Sequence, residues 1–286
     1  MKRLKSILSL ILLGAFIVTA CQDDDHELGR MLSPEEISIK VVQDLSIDPG
    51  GNTVILINET PETISMWDFE TGRSTRTIDT VRYAFAGDYT IKFSAVTGGG
   101  IVELPAKTIT VTQNNLNYVN DPLWTALSGG PGNEKTWILD IDANHFDGPL
   151  YFYGTDNGWG GACTKPGGDC WNWNPDYKGN TWLMPYGDYG TMTFSLKGAA
   201  TVTVNHSMIP GKGTESGTYF LDVDNKTLSL TDAGILHDAG RDACVDDWGS
   251  IRLLSLTENS MQLAVMRKGS CEGAALLVYN FVPKAE

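Results

Sequence analysis

Basic residues are scarce in this chain. Lys and Arg number 21 against 35 Asp and Glu, for a formal net charge of −14, and outside Lys2–Lys5 they form no block. A nucleic-acid partner needs a basic footprint that displaces counterions from phosphates, so that class of function is excluded. Polyanionic ligands are disfavoured on the same ground, whereas a neutral ligand suits an acidic surface. Histidine is rarer still, at 4 residues, and there is no C-x-x-C pair, which leaves little from which to build a zinc site. No G-x-S-x-G elbow, convincing Cys/His pair, P-loop or Rossmann fingerprint occurs, so the local signatures of acyl transfer and nucleotide chemistry are missing. Past residue 20, no apolar run is long enough to span a bilayer. No internal period marks a repeat architecture.

What is present begins with a leader. Lys2, Arg3 and Lys5 form a basic start, and Ile7 to Val18 is an apolar stretch of about a dozen residues, too short for a spanning helix. It closes on Val18-Thr19-Ala20-Cys21, which resembles a bacterial lipobox. The resemblance implies a lipoprotein signal peptide over residues 1–20 and acylation of Cys21. Gln22-Asp23-Asp24-Asp25 resembles the surface-export signal of Bacteroidota lipoproteins, so residues 21–36 are expected to be an acidic tether. The implied location is the outer membrane, facing the exterior, with the lipid as the only membrane contact.

Five cysteines are present, and setting Cys21 aside leaves Cys163, Cys170, Cys244 and Cys271. An even number in an exported chain points to disulfides. Three pairings are open; the favoured one is Cys163–Cys170 with Cys244–Cys271. A hairpin turning at Glu258-Asn259 and continued outward brings Cys244 nearly opposite Cys271.

Strand signals dominate from residue 38 onward. Ser38–Val42, Thr53–Asn58, Ile64–Phe69, Val81–Phe85, Asp88–Val96 and Leu104–Thr112 alternate or are β-branched, separated by Gly-rich turns. Trp67-Asp68-Phe69-Glu70-Thr71-Gly72 and Tyr83-Ala84-Phe85-Ala86-Gly87-Asp88-Tyr89 resemble the two signatures of polycystic-kidney-disease (PKD) domains. The chain departs from that pattern at Glu70-Thr71, where the family carries Gly-Asp. The resemblance implies a PKD/Ig-like sandwich over residues 37–113, with Trp67 in its core, Tyr89 as a tyrosine corner, and a spacer role. Polar Gln113–Asn120 then leads to Asp121-Pro122, a boundary.

Residues 121–286 form the second expected domain, which starts with a short helical turn at Pro122–Leu127. About ten further strands, among them Thr181–Met184, read as a larger jelly-roll-type β-sandwich, so the fold class is all-β. Asp140, Asp142, Asn144 and Asp147 superficially resemble a calcium loop. His145 and Tyr151 stand where an EF-hand needs Gly and Glu, which leaves at most a structural Ca²⁺ and no other cofactor. Asp142, Asp176, Asp188, Glu215 and Asp247 could supply a hydrolase carboxylate pair, but the E-x-D-x-x-E motif of laminarinase-type jelly rolls is missing. His145, His206 and His237 are isolated in sequence and read as polar surface.

Between Leu150 and Tyr189 lie Trp159, Trp171, Trp173 and Trp182, half of the 8 tryptophans, set among Gly, Asn, Asp and Pro. Flat rings on loops suit sugars, because the axial C–H face of a pyranose is apolar and slightly positive and meets the negative face of an indole. Asn172, Asn174, Asp176 and Tyr186 would serve the hydroxyls. Trp171-Asn172-Trp173, if extended, puts both rings on one face. These two lead, Trp159 follows, and Trp182 completes the candidates for glycan contact, although its setting in Thr181-Trp182-Leu183-Met184 favours burial. Trp137 reads as core, and Trp248 as either. Lys135–Asp140 with His145-Phe146 and Gly148-Pro149, Trp171–Asp176 and Tyr186–Gly198 resemble the surface glycan-binding lipoproteins of Bacteroidota polysaccharide-utilisation systems. That resemblance implies a carbohydrate-binding-module-like second domain that is non-catalytic. It also implies a polysaccharide ligand, for which neutral β-glucan is the guess, and an outer-membrane porter/lid complex as partner. A glycoside hydrolase and a surface adhesin are the alternatives.

Overall fold

The computed structural model describes residues 29–285. The expected signal peptide, Cys21 and the run Gln22–Asp25 lie outside the described residues. The described end of the expected tether is in contact with the domain. Gly29 packs on Gly98 so closely that a Cβ on either would meet the other's Cα at 3.0 Å. Pro34–Glu36 forms a short 3-10 turn whose Glu36 pairs with Arg30.

Eight strands follow: β1 (Ile39–Gln43), β2 (Thr53–Asn58), β3 (Ile64–Asp68), β4 (Arg73–Ser74), β5 (Ile78–Arg82), β6 (Gly87–Thr97), β7 (Gly100–Glu103) and β8 (Lys107–Val111). They form two sheets, β1-β2-β5 and β4-β3-β6-β7, with β8 pairing to β6. The inward residues of both sheets meet in one core around Leu56, Trp67, Ile91 and Phe93. Buried Trp67 donates its indole N–H to the Arg76 carbonyl at 3.1 Å. Tyr89 donates to the Phe85 carbonyl at 2.9 Å, the corner expected of it. The strand expected at Leu104–Thr112 is β8, which starts only after Pro105, a residue with no N–H for a ladder, and the short β7 before it is not among the expected strands.

Helix α1 (Pro122–Ser128) starts on an Asp121 cap that accepts from Leu123 N at 2.8 Å, and it ends at Gly129 with φ 81°. Ten strands follow: β9 (Glu134–Leu139), β10 (Leu150–Tyr153), β11 (Asn172–Trp173), β12 (Gly190–Ser195), β13 (Thr201–His206), β14 (Gly213–Asp222), β15 (Thr227–Thr231), β16 (Ser250–Leu256), β17 (Met261–Arg267) and β18 (Ala275–Pro283). Consecutive strands β12 to β18 pair antiparallel, and β9 pairs with both β12 and β18. The sheet therefore closes on itself as a barrel. This corrects the jelly-roll expectation, which requires two separate sheets. The difference comes from one long-range pairing, Phe281↔Leu139 with Val282↔Ile138, that no local pattern announces. Inward residues alternate along each strand and fill the barrel with Trp137, Phe194, Tyr219, Leu253, Leu263 and Phe281. An eight-stranded ring is just wide enough for side chains, so the interior is a core and a ligand has to bind outside it. Thr181–Met184 is no strand; it lies in the loop before β12.

The barrel forks at Asn280, which is fully buried. β18 gives residues 276–279 to β10 and residues 281–283 to β9. Asn280 serves both sides: its N–H donates to Pro149 O at 2.9 Å, and its carbonyl accepts from Asp140 N at 2.9 Å. Its amide donates to Gly148 O at 2.7 Å and accepts from Gln262 at 2.9 Å. Both disulfides expected from sequence are present, with Cα–Cα separations of 5.4 Å for Cys163–Cys170 and 5.7 Å for Cys244–Cys271. The two units touch. Phe85 joins the barrel's core cluster together with Val119 and Trp124, and the Thr218 hydroxyl bonds to the Glu70 carbonyl. Among the described residues, no helix is long and apolar enough to cross a membrane.

Replacing Asn280 by Leu keeps the branched shape but leaves the buried Gly148 carbonyl and the half-buried Gln262 amide without this partner. The expected cost is about 1–3 kcal/mol in urea unfolding. An unchanged midpoint would show that the fork does not depend on this residue.

Candidate functional site

The stretch from β10 to β12 carries the aromatic residues singled out from sequence. Its first part, residues 154–171, lies over the outside of the barrel. Arg252 of β16 donates to Thr155 O at 2.8 Å and to Asn157 O at 2.6 Å. The Cys163–Cys170 bridge closes this loop. Trp159 sits there, exposed, with the Lys226 ammonium 5.3 Å from its ring centre. Asn172 meets the buried Asn157 at 3.0 Å, so its amide serves the loop.

β11 places Trp173 opposite Phe152 of β10, with the rings stacked at 5.2 Å and 24°. Phe152 belongs to the core, so one indole face is backed and the ring is still 43% exposed. Trp171 is also exposed, two residues back along the chain, the spacing at which side chains of an extended segment share a side. Its carbonyl accepts from Gly154 N at 2.7 Å, which continues the pairing.

Residues 174–189 then cross to β12. Asp176 caps the turn by accepting from Lys178 N at 3.1 Å and Gly179 N at 3.0 Å, so its carboxylate is committed to backbone. Asn174 is exposed. Beyond it, Tyr177, Leu183, Met184 and Tyr189 are buried in the main core. Trp182 is 70% exposed, which corrects the expectation of burial: Leu183 and Met184 turn inward and leave the indole outside. Its ring centre lies 6.4 Å from that of Trp173, tilted by 32°. Tyr186, equally exposed, donates to Asp142 at 2.8 Å.

Three successive carbonyls in this loop each accept from a side chain. Leu183 O accepts from Arg241, Met184 O from Tyr177, and Pro185 O from Tyr189, each at 2.8 Å. Burial raises the pKa of both tyrosines, so they remain donors at neutral pH. Trp182 and Tyr186 flank this fixed segment. The calcium loop considered from sequence is used otherwise. The Asp140 carboxylate accepts from the backbone N–H groups of Asn144, His145 and Phe146 at 2.8–2.9 Å. Asp142 is engaged with Tyr186.

A polar cluster missed by sequence reading lies at the same end of the barrel. His206 and His237 are buried, with ring centres 5.5 Å apart, which corrects their reading as isolated surface residues. They stand 31 positions apart (237 − 206), so only the strand pairing unites them. His206 Nε2 lies 3.2 Å from Glu215, and His237 Nε2 lies 2.8 Å from Asp242. Lys212 reaches Asp242 at 3.2 Å. The His237 ring stacks on buried Trp248 at 3.4 Å and 8°. Burial lowers both histidine pKa values, outweighing the nearby carboxylates that pull them up. Asp242 is held below its usual value, first by the His237 hydrogen bond and also by Lys212.

No protein-family model matches the chain, and no curated protein is significantly similar to it.

Unfolded histidine titrates near pH 6.5, above the lowered folded values, so the unfolded chain takes up more protons as pH falls. Stability is therefore expected to decline between about pH 6.5 and 5, a window in which Asp242 does not yet contribute because it is protonated only at lower pH. Urea midpoints at pH 7.5 and 5.5 check this. His206→Gln should flatten the difference, and equal wild-type midpoints would contradict the assignment.

Proposed function

We propose that this chain is a non-catalytic, lipid-anchored surface protein that captures a neutral polysaccharide on the Trp173–Trp182 pair. The observation that carries the proposal is a pair of exposed indoles on a loop whose Leu183, Met184 and Pro185 carbonyls are each tied to a buried or half-buried donor. Neighbouring exposed apolar rings mark an interaction surface, and rigid rings give up little entropy when a ligand covers them. A 6.4 Å ring spacing lets adjacent sugar units meet adjacent rings, and Trp171, exposed two residues before Trp173, is the nearest candidate to extend the row. The acidic surface favours a neutral glycan, and a β-glucan is the guess.

Several features support the rest of this reading. The leader ending at Cys21 and the acidic run after it imply an outer-membrane anchor facing the exterior, where an outer-membrane porter/lid complex would receive the glycan. In the N-terminal unit, Glu70 adopts φ 65° at the place where the PKD pattern carries glycine, and the Trp67 and Tyr89 roles match a PKD-like spacer. A glycoside hydrolase needs a general acid with a raised pKa. The carboxyls in and near the barrel whose titration is displaced, Asp222 and Asp242, are displaced downward.

Calorimetry with β-glucan oligosaccharides is expected to show binding by the wild type. Trp173→Ala or Trp182→Ala should each cost about 2 kcal/mol, roughly thirtyfold in affinity. Trp159→Ala, on the Lys226 side, should bind within about twofold of wild type. Undiminished binding by a Trp173/Trp182 double variant would place the site elsewhere, and reducing-sugar release would mean catalysis.

A further inference from the structure

We infer that Arg241, outside the aromatic loop, is the positioning residue that sets the spacing of the Trp173–Trp182 pair; the inference rests on the glycan reading of that pair. Arg241 comes from the segment between β15 and β16, more than fifty positions along the chain from either ring. Its guanidinium lies over the Phe152 ring at 5.4 Å, and Phe152 is the ring that backs Trp173 at 5.2 Å. The same group donates to the carbonyl of Leu183, the residue next to Trp182, at 2.8 Å. One cation thus touches the support of both indoles.

The guanidinium is itself anchored in the barrel wall. Asp238 accepts from it at 2.8 Å, and the other oxygen of Asp238 accepts from Tyr279 of β18 at 2.9 Å. Asp238 and Tyr279 are both buried. The chain of contacts runs from β18 through Tyr279, Asp238 and Arg241, and divides there toward Phe152–Trp173 and toward Leu183–Trp182. A planar fork can hold a carbonyl, a carboxylate and an aromatic face at once, which a lysine ammonium cannot do with the same geometry. The indoles stand nine residues apart with no strand pairing between them, and Arg241 joins the support of one to the support of the other from outside the loop.

The test is a double-variant cycle read by calorimetry with glucan oligosaccharides, using Arg241→Met, Trp182→Ala and their combination. If Arg241 acts through the rings, Arg241→Met weakens binding tenfold or more, and the combination binds within about twofold of Trp182→Ala alone. Affinity within twofold of wild type for Arg241→Met, or fully additive losses, would overturn the proposal. Arg241→Lys, which keeps the charge beside Asp238, repeats the comparison with less disturbance to the fold and should fall between wild type and Arg241→Met. A readout independent of the glycan is the exciton couplet of the two indoles in circular dichroism. Trp182→Ala should abolish it, and Arg241→Met should reduce it in the unliganded chain. A couplet unchanged by Arg241→Met refutes the positioning role. Failure of the wild type to bind any glucan, with the couplet reduced as expected, would instead refute the functional reading alone.

Discussion

The division of β18 at Asn280 is the constraint on which the rest of the C-terminal structure depends. A strand edge can pair with only one neighbour at each position, and β18 gives one half of that edge to β9 and the other to β10. Closing the barrel through β9 therefore requires the chain to leave the sheet between Leu139 and Leu150. The Asp140 carboxylate makes that exit by capping three backbone amides, and Asn280 satisfies the main-chain groups exposed at the split. Beyond the split, β12 pairs with β9 only from Met192 to Ser195. Tyr177, Leu183, Met184 and Tyr189 of the loop before β12 supply core there instead of a strand.

That substitution of loop for strand exposes the aromatic rings. A strand would send alternate residues inward and hydrogen-bond its carbonyls to a neighbour. This loop buries Leu183 and Met184 in succession, turns Trp182 outward, and has its carbonyls satisfied by two tyrosines and an arginine. The result is a surface with the stiffness of a sheet and the side-chain freedom of a turn. A surface held in this way loses little conformational entropy when something binds to it.

Much of the fold is legible in the sequence because the strands are short, alternating and bounded by Gly, Asn and Asp. Thr53–Asn58 is read to the residue, and the Glu258-Asn259 turn leads correctly to Cys244–Cys271. Barrel closure is not legible, because Leu139 and Phe281 are linked only by tertiary pairing. The exposure of Trp173 is legible in the sequence, since an indole flanked by Asn on both sides has poor local reason to be buried. Trp182 is misread because Thr-Trp-Leu-Met has the hydrophobicity of a strand, and the donors that bend it into a loop lie elsewhere in the chain. The His206–His237 cluster and Arg241 escape for the same reason: their neighbours are set by register and not by spacing.

The account's central claim is that sugar units lie on Trp173 and Trp182. A crystal structure of the chain soaked with a β-glucan oligosaccharide tests this most directly. The prediction is a pyranose ring stacked on the exposed face of each of these two indoles, with Arg241 still bonded to Leu183 beneath them. Sugar density seated instead on Trp159 beside Lys226, or on the Lys212–Asp242 pair, with the indole pair bare, would contradict it.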